Sequence, residues 1–118
     1  MSALGILQHA RSIIASPLNW TTKAAARDIN GNWVDVFSPA ACSFCSFGAL
    51  RKAGGKKWNP DFMRAFTVLD AEVGGTFQLF NDVSTHEEVL AMWDRAIANY
   101  MLTYKNQVLL RTGKEYQT

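Results

Sequence analysis

The stretch from Ser38 to Lys57, SPAACSFCSFGALRKAGGKK, restricts the fold more than any other part of the chain. Serine before proline is a cap followed by a residue whose φ is preset for the first helical position, and Gly54-Gly55 closes the pattern. The spacing predicts a helix of roughly four turns with Cys42, Cys45 and Ala49 on one face. Gly48 supplies a small surface for close packing, and Arg51, Lys52, Lys56 and Lys57 form the densest basic cluster of the chain.

Similar signals divide the rest. Ser2 caps an apolar pattern of Ala3, Leu7, Ala10 and Ile14 that predicts a helix over residues 3–15, stopped by Pro17. Asn30-Gly31 is the preferred pair for a type I′ hairpin, with Ile29 before it and Trp33, Val34 and Val36 after it. In that tight-turn register Asp28 lies opposite Trp33 and Arg27 opposite Val34. Asn59-Pro60 with Asp61 opens a helix whose stripe of Phe62, Phe66, Leu69 and Val73 runs to Gly74-Gly75. Residues 76–80 carry aromatic and β-compatible side chains between turn signals and read as a third strand. Thr85 and Glu88 make a capping box before a stripe of Val89, Trp93, Ala96 or Ile97, Tyr100 and Tyr104, a long helix reaching Gln107. The residues past Gly113 read as a frayed end. The expected architecture is α+β, about four helices packed with a small antiparallel ribbon of two or three strands, in a single domain over residues 1–118.

The chain has 118 residues, 48% hydrophobic and 19% charged, which suits one core and not two. A formal charge of +2 from nearly balanced acids and bases disfavours nucleic acid as a partner, because no whole-protein field would draw it. Gln8, His9 and Arg11 interrupt the apolar residues at the amino end well short of a membrane span, and no basic segment precedes them. A soluble, non-secreted, cytoplasmic protein with reduced thiols is expected, with no membrane partner.

Trp20 followed by Ala26-Arg27-Asp28 and Gly31, Cys45 with Gly48-Ala49-Leu50, and Asn81-Asp82 with Thr85, Glu88, Val89 and Leu90 form an ordered series. In that order and spacing the chain resembles a family of small uncharacterised proteins of bacteria and their phages. The resemblance implies no activity and no catalytic residue; a phage or host accessory setting would imply a role in defence or counter-defence.

Several constellations bear on chemistry. Cys42-Ser-Phe-Cys45 has the form of a redox pair, but the strand-first setting of thioredoxin-like sites is missing and Phe44 and Phe47 look like packing residues. A zinc site would need His9 or His86, and neither stands at ligand spacing from the cysteines. Cys45 or Cys42 as nucleophile, His86 as base and Asn81 or Asp82 as the orienting group would suffice for a cysteine hydrolase, although some such combination is expected in any chain of this composition. Gly54-Gly55-Lys56-Lys57 fails as a phosphate loop, because the glycines close a helix and Trp58 follows the lysines.

Cations near a helix carboxyl end are favourable for structural reasons alone. Trp58, Trp20 and Trp33 nevertheless place aromatic faces outside the helix stripes, whereas Trp93 falls within one and reads as core. Basic and aromatic groups together suit an anionic ligand with a planar part. The leading expectation is therefore non-enzymatic binding of a small anionic, nucleotide-like ligand, with no cofactor and no metal, in a homo-oligomer. Arg27, Lys56, Lys57 and Trp58 would supply charge and stacking, and Asn81 and Asp82 polar readout. The alternatives are a protein partner docking on the last helix, with Met92, Met101 or Tyr104 exposed on a second apolar face, and the hydrolase built on Cys45, His86 and Asp82.

Overall fold

The computed structural model describes the backbone of residues 1–112 and side chains as far as Tyr104. The frayed end expected past Gly113 lies outside the described residues. Five α-helices pack with a two-stranded antiparallel sheet: α1 (Ala3–Ile13), β1 (Ala26–Arg27), β2 (Ser43–Phe44), α2 (Ser46–Gly54), α3 (Pro60–Val73), α4 (Phe77–Val83) and α5 (His86–Thr112). A short 3-10 turn, Pro17–Asn19, follows α1.

The helix ends are set locally. Ser2 Oγ accepts from the Gly5 amide at 3.1 Å, and Asn59 Oδ1 accepts from Phe62 at 2.8 Å with Pro60 at the first helical position. Gly74 ends α3 in the left-handed conformation at φ 65°, and the Gly75 amide returns to the Asp70 carbonyl. The Thr85–Glu88 capping box forms in both directions, 2.9 Å and 3.2 Å.

All five helices contribute to one buried cluster. Ile6 and Leu7 of α1 and Ile14 just past its end join Leu50 of α2, Phe62 and Leu69 of α3, Phe77 of α4 and Trp93 of α5 in it, with α1 packed against α2, α3 and α5. Each such side chain contributes roughly 1.5–3 kcal/mol by leaving water. Trp93 is fully buried, as its stripe requires.

Three expectations are corrected. The helix anticipated from Ser38 begins only at Ser46, because residues 42–45 bond across the chain instead. Ser38 does make a local turn, with Oγ accepting from Ala40, but Cys42 N then donates to Arg27 O and Cys45 N to Ala25 O. Ser43 and Phe44 pair with Arg27 and Ala26. Cys42 and Cys45 therefore flank a strand and do not share a helix face. Both are free thiols, and three residues of extended chain hold their Cα atoms about 10 Å apart, beyond disulfide reach.

The hairpin is also different. The Asp28 carboxylate accepts from the amides of Asn30 and Asn32, both at 2.9 Å, and Gly31 N donates to Asp28 O with Gly31 at φ 83°. That side chain enlarges the loop to Ile29–Asn30–Gly31, so Arg27 lies opposite Trp33 and not Val34. A one-residue change of register reverses which side chains share a face.

Residues 76–80 form no strand. Thr76 caps α4 and the Asp70 carboxylate accepts from the Phe77 amide at 3.0 Å. Phe77 and Asn81, four apart, are both fully buried, a helical period.

Candidate functional site

Two polar regions stand close together and differ in kind. The first is a buried knot around Asn81, which is wholly inaccessible. Its Oδ1 accepts from Trp20 Nε1 at 2.8 Å, Ser46 N at 3.0 Å and Ser46 Oγ at 2.9 Å, while Nδ2 donates to Thr21 O and Asp82 Oδ1. Trp93 Nε1 donates to Ser46 Oγ at 3.0 Å, which carries the chain of bonds into α5. Asp82 Oδ1 also accepts from Lys23 N at 2.8 Å and so holds Lys23 at φ 63°, a conformation uncommon for a residue with a Cβ. Every buried side-chain nitrogen and oxygen among the described residues has a partner.

Cys45 borders this knot. Its Sγ caps α2 by accepting from Gly48 N at 3.4 Å, and burial pushes the thiol pKa above its ordinary value despite the Gly48 and Phe47 amides. That favours the protonated form, the opposite of what an activated nucleophile needs. His86 is directed elsewhere, with Nε2 at 2.7 Å from Ile14 O and its ring 5.3 Å from that of Trp20. Among the described residues no hydrogen bond joins either cysteine to a histidine. No group of three or more histidine, cysteine or acidic residues among the described residues could hold a metal ion. Likewise, no helix among them is long and apolar enough to cross a membrane.

The second region is an open cleft of about 620 Å³ between the 34–38 segment and α2. Phe37 and Phe47 provide its apolar surface; Asp35, Arg51 and Lys56 provide its charge. Three cations surround the Phe37 ring: Arg51 Cζ is 5.5 Å from its centroid and Lys52 Nζ and Lys56 Nζ are each 5.7 Å away. Two Arg51 nitrogens donate to Gly55 O and Lys56 O and so cap α2, while the guanidinium carbon also lies 5.8 Å from Phe62. Asp35 is the acidic residue in the lining, and its Oδ1 already accepts from Phe37 N at 2.8 Å. A smaller pocket of about 290 Å³ adjoins it, with Lys23, Trp33, Cys45, Gln78 and Asp82 in its walls.

The six residues expected to bind ligand fall into separate places. Lys56 lines the large cleft and Asp82 the small pocket, whereas Asn81 has its donors and acceptors engaged within the knot. Arg27 donates to Thr21 Oγ1, Gly31 O and Thr22 O and so ties its own loop together. Lys57 is exposed, and Trp58, 67% exposed, leans on Phe62 at 5.2 Å between centroids; neither belongs to the two linings. Phe37 was missed as a site residue because nothing local connects it with a helix end fourteen residues later. Arg51 and Lys52 were visible as charge, and only packing shows that they face an aromatic ring.

The ordered residues from Trp20 to Leu90 now have a spatial meaning. Trp20, Cys45, Asn81 and Asp82 meet at the knot, and Gly48 lies beneath Ala25, where an added Cβ would come within 1.8 Å of the carbonyl oxygen. A family model described as a family of unknown function (DUF6197) matches residues 1–99. The chain belongs to that family. No curated protein and no solved structure matches it. The DUF6197 match takes in the knot and both clefts and stops short of the last turns of α5.

Proposed function

We propose that this DUF6197 protein binds a small anionic, nucleotide-like ligand in the cleft over Phe37 and performs no chemistry on it. The convergence of Arg51, Lys52 and Lys56 on one aromatic ring carries the reading. Cations each within 5.7 Å of one centroid cannot be much further apart than a Debye length, about 8–10 Å at moderate salt. They repel one another, and Asp35 offsets only part of that charge. An anion entering the cleft relieves the repulsion and gains hydrogen bonds from the lysines, while its planar part finds Phe37 and Phe47. The site residues are thus Lys56, as the sequence suggested, with Arg51, Lys52 and Phe37 in place of Arg27, Lys57, Trp58 and Asn81. A cytoplasmic setting, a phage or bacterial accessory role and a homo-oligomer belong to the same reading.

Exposed Met101, Leu102 and Tyr104 on α5 favour a second reading, docking of a protein partner; Met92 is fully buried and takes no part. Native mass spectrometry distinguishes the two by showing a retained mass of nucleotide size or a co-purifying polypeptide. The direct test is calorimetric titration with inorganic pyrophosphate and nucleoside phosphates. Lys52→Ala and Lys56→Ala are each expected to weaken binding about tenfold without lowering the melting temperature, the loss of one charge-assisted contact. No binding by the unaltered protein, or unchanged affinity in both variants, refutes the proposal.

A further inference from the structure

The small pocket is not independent of the cleft, because Ala25 and Phe47 line both and form a shared wall between them. The two openings adjoin along these residues and differ in chemistry. At the Phe37 end the excess charge is positive. The other end offers an indole, since Trp33 is 72% exposed, together with the exposed amide of Gln78 and the carboxylate of Asp82. Asp82 Oδ1 is engaged by Lys23 N and Asn81 Nδ2, while Oδ2 accepts no bond from any described residue. Lys23 adopts its positive φ at this same wall, and unusual backbone conformations concentrate at ligand clamps.

From this placement we infer that the ligand is a nucleoside phosphate reaching across both openings, with its phosphate among Arg51, Lys52 and Lys56 and an amino-bearing base on Trp33, read by Asp82. This rests on the anion site proposed above and adds the class of base. A carboxylate oxygen accepts from an exocyclic amine, as on adenine, cytosine or guanine. Uracil presents a single ring N–H between two carbonyl oxygens, which the carboxylate repels. The indole contributes stacking to any base, so it sets affinity, while Asp82 sets preference. Neither role needs a bond to form or break.

The test compares ribose 5-phosphate, AMP, CMP and UMP by calorimetry on the unaltered chain, Trp33→Ala and Asp82→Asn. Asp82→Asn keeps Oδ1 for Lys23 N and Asn81 Nδ2 and turns the free oxygen into a donor, so the knot is retained. AMP and CMP are expected to bind about tenfold more tightly than ribose 5-phosphate and UMP to fall behind them. Trp33→Ala should bring the nucleotides down to the level of ribose 5-phosphate, and Asp82→Asn should erase or reverse the disadvantage of UMP. Equal affinities for ribose 5-phosphate and all three nucleotides, unaffected by either substitution, overturn the base site while leaving the anion site standing. Binding of none of the four refutes both.

Discussion

The knot around Asn81 and the cleft over Phe37 lie in the same small body, yet their polar groups are in opposite conditions. In the knot each donor meets an acceptor: Asn81 alone takes part in five hydrogen bonds that join the Trp20–Thr21 segment, α2 and α4. At the cleft, three cations lie within 5.7 Å of the centroid of one aromatic ring, with a single carboxylate in the lining. Saturated polar groups hold a structure together but have nothing left for a ligand, whereas unmatched charge costs the folded state a little and leaves capacity for binding. Asn81, expected to read a ligand, has its side-chain oxygen and nitrogen engaged by Trp20, Ser46, Thr21 and Asp82. The basic helix end, which dipole complementarity alone would favour, also sets Arg51 and Lys56 in the lining of a cleft.

Substitutions can break this comparison. The largest effect is expected from Gly48→Ala, which drives a methyl group into the Ala25 carbonyl beneath α2. The carbonyl is backbone and cannot swing aside, so about 3 kcal/mol or more of stability should disappear in chemical denaturation. A loss below about 1 kcal/mol would mean that the 25–27 segment is free to move away from α2 and that the knot is not rigid. Next comes Asn81→Ala, which leaves Trp20 Nε1, Ser46 N and Thr21 O without their partner at a buried or part-buried position. About 2–4 kcal/mol is expected, read as a lower denaturation midpoint at unchanged slope. If Asn81→Ala instead abolished nucleotide binding at unchanged stability, the division between fastening and site would fail.

The smallest effect sharpens the contrast from the other side. Lys52→Ala, with no ligand present, should raise stability by about 0.3 kcal/mol at low salt, since it removes one repelling charge. Thermal melts in low and high salt are the check, and the gain should vanish as salt screens the cluster. A loss of stability at every salt concentration would show that the lysine packs on Phe37 as a structural cation and that the cleft carries no excess charge.

Much of the fold was legible in the residues. Ser2, Asn59, Thr85 with Glu88, and the paired glycines after α3 act within one turn of chain, so the starts and stops they dictate for α1, α3 and α5 survive packing. Trp93 and the stripes around it set the helical period and hence the buried face. Where local chemistry competed with distant bonds, the distant bonds prevailed. Ser38-Pro39 starts a turn, yet the backbone of residues 42–45 gains a ladder partner in β1 and forgoes a longer helix. The Asp28 carboxylate reset a hairpin that Asn30-Gly31 would have closed more tightly.

For the site the balance reverses. The sequence by itself determined which chemical groups exist: two thiols with no neighbouring ligand set, a basic cluster at a helix end, and tryptophans outside the helix stripes. Only the tertiary structure decided which of them meet. Phe37 under Arg51, Lys52 and Lys56, and Asn81 between Trp20 and Ser46, are contacts between segments far apart in the chain. Caps and turns act over a few bonds and can be read in order along a chain; a cleft is the space left when distant elements pack, and no short stretch of residues encodes it.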